Sequence, residues 1–232
     1  MSLLLEGILE ALRLITSFDP DLLQIVFLSL RVSVIAIVIA TLIGVPLGAF
    51  LGLKSEKKTR LLNKIIFTFM GMPPVVGGLI IYLLLSRQGP LGVLGLLYTP
   101  SAMIIAQVLL ATPIITGLTL VGIRARGTEI VETARSLGAD SALATWTVVK
   151  ESRLAILGAV ITGFSRVIAE VGAVMIVGGN IAGRTRVMTT AIVLETRRGN
   201  FELAIGLGII LLILAFVINS FLYNIQTGGQ DN

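Results

Sequence analysis

The chain contains neither histidine nor cysteine, so the commonest general base, the commonest metal ligand and every thiolate or disulfide are missing from its chemistry. What remains is charge and hydroxyl groups. Arg166 and Glu170 stand four residues apart inside the apolar run Leu154 to Val177, a spacing that places both on one face of a helix. Either charge is costly against hydrocarbon, so each must face protein or water. Two readings stay open: a structural ion pair, or a positive charge lining a solute path. A second group lies in GGNIAGRTRVMTTAIVLETRRGNFE, which sets Arg184, Arg186, Arg197 and Arg198 against Glu195 and Glu202 and adds the hydroxyls of Thr185, Thr189 and Thr190. Guanidinium and hydroxyl donors suit an oxyanion better than a cation. The competing account is a solvated loop with local ion pairs, because exposed pairs contribute little. No G-x-x-x-x-G-K-[ST] phosphate loop and no metal-ligand cluster occurs, so by these routes the chain neither hydrolyses ATP nor holds a cofactor.

These groups need elements to hold them, and composition says where the elements are. With 55% hydrophobic and 13% charged residues and a mean hydropathy of +0.99, the chain belongs in a bilayer, since soluble domains carry roughly 25% charged residues. A net charge of +5 in such a chain marks cytoplasmic loops and not a nucleic-acid surface. Leu5, Ile8, Leu9, Leu12 and Ile15 share one helical face in a run too short to span, which predicts a helix lying in the membrane interface. Met1 to Thr16 lacks the basic start of a cleaved signal. Asp19 and Pro20 then offer an N-cap and a first-turn proline.

Five spans follow, giving an all-α polytopic membrane protein with an N-terminal interfacial helix. Span 1, Val32 to Leu53, repeats Gly44, Gly48 and Gly52 every fourth residue, which predicts close helix packing rather than solute contact. A basic loop from Lys54 to Lys64 should lie inside. Span 2, Ile65 to Leu85, carries Met72, Pro73 and Pro74, which invite a break tolerated only against protein or a wet cavity. Span 3 runs from Ala102 to Ile123, span 4 from Leu154 to Val177 and span 5 from Leu203 to Ile225, with a polar tail. The N-terminus and residues 179–200 then lie outside and the C-terminus inside. Positive charges outside disobey the orientation rule, so an anion-attracting mouth is one use for them. No internal repeat or linker divides residues 1–232, which read as one domain.

Between spans 3 and 4 comes the mostly polar stretch 124–152. Ile130, Ala134 and Leu137 mark an apolar face in its first half, and Leu143, Trp146 and Val149 mark one in its second. Gly138 can end the first helix in a left-handed conformation, and Asp140 or Ser141 can open the second. The product is a cytoplasmic helical hairpin suited to a groove on another protein.

ETARSLGAD, with Glu132, Ala134 and Gly138, resembles the E-A-A-x-x-x-G loop of the membrane subunits of ATP-binding-cassette (ABC) importers, with Thr133 in place of the first alanine. The resemblance implies a type I importer transmembrane domain in which Glu132, Ala134, Gly138 and Ala139 couple to an ATPase. Arg166, Glu170, Gly172 and Ala173, then Gly179, Asn180, Ile181, Gly183 and Thr185, resemble the molybdate, tungstate and sulfate permeases, and MPPVVGGL, LLLSRQGPLG and ETRRGNF are most similar to tungstate permeases. By implication the unit is a homodimer with two ABC ATPase subunits, which carry the ATP and Mg, and an external oxyanion-binding protein. Asn180, Arg184, Thr185 and Arg186 would then belong to the substrate path or outer gate. An ion-coupled anion transporter using Arg166 and Glu170 as a relay is the rival, and it predicts inverted repeats that the sequence lacks.

Overall fold

The computed structural model describes residues 3–227. Both chain ends, on which the expected sides of the termini and the end of the polar tail depend, lie outside the described residues. The described residues form ten α-helices and one 3-10 turn. Helix α1 is Leu3–Thr16, α2 is Pro20–Leu53, α3 is Glu56–Met70, α4 is Pro74–Leu85 and α5 is Pro100–Ser136. After these come α6, Ser141–Glu151; α7, Arg153–Ile168; α8, Gly172–Gly178; α9, Met188–Arg197; and α10, Phe201–Thr227. Three of them, α2, α5 and α10, are long and apolar enough to cross a membrane, and the count reaches five when each broken pair, α3 with α4 and α7 with α8, is one span.

The chain packs as two compact units, each assembled from three separate stretches. One contains residues 1–36, 73–107 and 167–221. Here α1 meets α10 through small residues: Gly7 sits on Ile205, and Gly206 lies under the backbone of Ala11. Leu3, Leu4, Leu5, Leu9 and Leu12 of α1 stay exposed, while Leu14 packs half-buried against the cluster of Ala11, Leu22 and Leu207. Asp19 caps α2, its Oδ1 accepting from the Leu22 amide at 2.9 Å. The break before α4 falls at the predicted prolines, and α4 then lies so close to α8 that a Cβ at Gly78 would come within 2.6 Å of Ala173 Cα.

The other unit contains residues 37–72, 108–166 and 222 onward. In it the second half of α2 packs on α5 along the predicted glycine stripe. A Cβ at Gly48 would stand 2.5 Å from the Thr116 carbonyl oxygen, and Gly44 and Gly52 approach the carbonyls of Thr112 and Leu120. Pro113 does not end α5, and the hydroxyls of Thr112 and Thr116 bond back to Val108 and Thr112 within that turn.

Three expectations need correction. The basic stretch 54–64 is not a loop: α3 starts at Glu56, where a carboxylate suits a helix N-terminus, and continues through Lys64. Span 4 is not one helix, because α7 stops at Ile168 and α8 starts at Gly172. Arg166 and Glu170 therefore do not share a continuous helical face. Finally, residues 179–200 are not simply a solvated loop, since α9 lies within them and buries Met188, Thr189, Thr190, Ala191 and Glu195.

Candidate functional site

The hairpin is built as an extension of a membrane helix. α5 runs unbroken for 37 residues and ends at Ser136. Gly138 then takes φ +87, with its amide donating to Arg135 O at 3.0 Å and the Ala139 amide to Ala134 O at 3.0 Å. Only a residue without Cβ adopts that conformation freely, which is the reason for glycine there. Asp140 caps α6, accepting from the Leu143 amide at 2.7 Å. The buried face of α6 is Ala144 and Val148. Val148 joins Ala49 and Ile123 in an apolar cluster flanked by Leu53, Ile130, Val131 and Val149. The other face is left bare: Leu137 is 83% and Trp146 65% exposed, and Leu143 is exposed too. Between the arms lies a cavity of about 560 Å³ whose lining includes Ala134, Leu137, Gly138, Ala139 and Leu143. Glu132 is exposed on the outer surface of the first arm. Ala134, Gly138 and Ala139 thus lie together at the hairpin turn, while Glu132 is outside the lining of that cavity.

The break between α7 and α8 is held by side chains from distant parts of the chain. Glu170 is 4% exposed, and its Oε1 accepts from the Ala173 amide at 3.0 Å, capping α8. Gln107 Nε2 donates to Val167 O at 3.3 Å, supplying a partner to a carbonyl at the end of α7. Thr189 Oγ1 donates to Glu170 O at 2.9 Å, and Ser29 Oγ accepts from the Met188 amide at 2.8 Å. Irregular backbone at membrane depth survives where such partners exist. Ser29, Ser33, Gln107, Glu170 and Thr189 border a cavity of only about 10 Å³, which has room for a single water and none for a tetrahedral anion. Arg166, in the last turn of α7, is exposed. Sequence reasoning missed Gln107 and Ser29. The signal was there: Gln107 is the one amide side chain in the apolar run Ala102 to Ala111.

The arginine-rich segment divides. Thr185 is 0% exposed; its hydroxyl donates to Gly178 O at 2.6 Å and accepts from the Ile181 amide at 2.9 Å, so it staples the loop. Thr189 is spent on Glu170, and Thr190 on Val187, whose amide it accepts at 3.1 Å. Asn180 adopts φ +51, and its carbonyl accepts from Arg186 NH2 at 3.5 Å. Arg198 pairs with Glu195 at 2.9 Å, and Arg184 is exposed. Arg186 faces a cavity of about 450 Å³ bordered by Glu10, Asp19, Asp21 and Glu195, with Arg198 the second cation. Four carboxylates against two guanidiniums do not collect anions there. Across the same unit the Tyr98 amide donates to Val177 O at 2.9 Å, and the hydrogen bond between Tyr98 and Tyr82 pushes the Tyr98 phenol above its usual value.

Residues 44–228 match the family model described as "Binding-protein-dependent transport system inner membrane component". The tungstate uptake system permease protein TupB of Peptoclostridium acidaminophilum is 44% identical over 226 residues, covering 97% of this chain and 99% of that protein. A probable anion ABC transporter permease protein of Haloferax volcanii is 39% identical, covering 86% of this chain and 88% of the other. A crystal structure of an amino acid ABC transporter, 20% identical, superposes with a TM-score of 0.65 over 92% of this chain and 94% of its own, which shows a shared fold. A membrane chain with two broken spans, an interhelical hairpin and a family match across most of its length therefore belongs to the inner membrane components of binding-protein-dependent transport systems.

Proposed function

We propose that the chain is the permease subunit of an ATP-driven importer that moves a tetrahedral oxyanion, tungstate first, into the cytoplasm. The end-to-end identity of 44% with a tungstate uptake permease carries this reading. Two ABC ATPase subunits, which bring the ATP and Mg, dock on the hairpin through Glu132, Ala134, Gly138 and Ala139. The bare apolar patch of Leu137, Leu143 and Trp146 supports that role, since a face of this kind beside charged residues suits a protein groove. A second copy of the chain completes the path.

In this reading residues 54–64 and 124–152 lie inside and 179–200 lie outside, where an external oxyanion-binding protein delivers its load. Closure of the ATPases moves the hairpins and opens the path outward, and hydrolysis resets it inward. Arg184 attracts the dianion at the mouth. Asn180 and Arg186 hold the shape of that loop, and Thr185 fixes its base. Arg166 meets the anion without binding it tightly, since tight binding would hinder release. The test is ATP-dependent uptake of labelled tungstate by proteoliposomes containing the chain, its ATPase and its binding protein. Competition by excess molybdate and sulfate is measured alongside. The proposal expects uptake suppressed by unlabelled tungstate; uptake without ATP, or none at all, would overturn it.

A further inference from the structure

A polar cluster at the root of the hairpin belongs to none of the roles above. Arg124 follows Ile123, the last buried apolar residue of α5 before the hairpin, and its NH2 donates to Leu51 O at 3.3 Å and Thr59 Oγ1 at 3.4 Å. Leu51 O is among the last carbonyls of α2, at the negative end of that helix, where a cation is favoured. Thr59, in the first turn of α3, is buried and also accepts from Asn63 Nδ2 at 3.2 Å. One guanidinium thus ties α2 and α3 to α5 at the point where α5 becomes the hairpin. The apolar cluster of Ala49, Ile123 and Val148 binds the second arm, α6, to the same place. The hairpin is therefore not hung on a flexible stalk, and a push on it acts on α2 and α3.

The cluster has one unexplained atom. Asn63 is buried, yet its Oδ1 has no hydrogen-bond partner. Turning the amide over does not help, since Nδ2 would then be the orphan. An acceptor left unmade in a buried site costs free energy. It also shares Thr59 as a neighbour with a guanidinium that carries five donors in a fixed fork. We propose that Arg124 is the positioning residue that carries hairpin displacement into α2 and α3, and that Asn63 Oδ1 is its second seat. In the arrangement described, one nitrogen of the fork, NH2, holds both Leu51 O and Thr59 Oγ1; in the other the fork turns so that a second nitrogen satisfies Asn63. Two seats sharing one neighbour make a two-position element rather than a continuously deformable one.

The inference rests on the ATP-driven reading above, and the experiment separates the two. In proteoliposomes of the assembled complex, uptake per ATP hydrolysed is measured for the parent chain, Asn63→Leu and Arg124→Lys, together with basal hydrolysis and thermal midpoint. A parent without ATP-driven uptake overturns the proposed function. With an active parent, Asn63→Leu should assemble and hydrolyse normally and lose little thermal stability, because removing the orphaned acceptor offsets the lost bond from Nδ2 to Thr59. Its uptake per ATP should fall about fivefold or more, the size of an ordinary coupling free energy. Arg124→Lys, which keeps the charge but not the fork, should show the same fall. A lowered midpoint with unchanged uptake per ATP in both variants would make the cluster merely structural and overturn the inference.

Discussion

At the scale of single residues, the same side-chain type does different work according to what its backbone lets it reach. Glu170 caps α8, and any side-chain oxygen at that position can serve as acceptor. Glu170→Ala should therefore cost about 1 to 3 kcal/mol as the Ala173 amide is left buried and unmade, while Glu170→Gln should lose much less. Thermal unfolding in detergent compares them; equal losses would show that the charge, and not the cap, matters. Arg166 is exposed in the last turn of α7, and Glu170 follows two residues past the end of that helix. Arg166→Met should keep the fold and lower tungstate uptake, and changing Glu170 as well should not restore it. Gly138 is a conformational requirement, because a Cβ there would meet nothing within 4 Å and the objection is φ alone. Gly138→Ala should cost about 1 to 2 kcal/mol locally, and Gly138→Asn should retain more coupled hydrolysis than Gly138→Leu.

At the scale of elements, the stripe Gly44, Gly48 and Gly52 sets how near α2 can come to α5. Gly48→Leu should prevent stable insertion, because the obstruction at 2.5 Å is a backbone carbonyl that cannot rotate away. Gly208, with open space around it, is the control: Gly208→Ala should be neutral or stabilising by up to about 1 kcal/mol through helix propensity. Yield of monodisperse protein after membrane extraction would check both. The glycine stripe, the Asp19 and Asp140 caps and the Gly138 turn were legible in the sequence because each follows from residues within one or two turns of chain. The break at 169–171 was not. It depends on Gln107, sixty residues before Val167, and on Thr189, nineteen residues after Glu170. A run of apolar residues cannot announce partners that arrive from elsewhere. Thr185 read as an available hydroxyl for a different reason: its partners, Gly178 O and the Ile181 amide, lie in its own loop, whose closure no periodicity announces.

At the scale of the whole molecule, orientation and coupling are the claims to test. A chain without cysteine accepts single reporter thiols, so Lys58→Cys and Arg184→Cys can each be probed with an impermeant reagent. The thiol at position 184 should label in intact cells and that at 58 only after permeabilisation; the reverse pattern would invert the topology. The two compact units are each drawn from three stretches, and α2 and α5 each contribute residues to both. That interleaving fits an account in which movement at the hairpin reaches the membrane part through continuous helices, α5 above all. The most direct measurement is ATP hydrolysis by the assembled complex, with and without tungstate-loaded binding protein, for the parent and Glu132→Lys. The exposed position of Glu132 predicts an intact, inserted variant whose ATPase association or stimulation falls at least tenfold through reversed charge at the docking surface, roughly the loss expected for one poorly matched interfacial charge. Stimulation equal to the parent in Glu132→Lys would contradict the account.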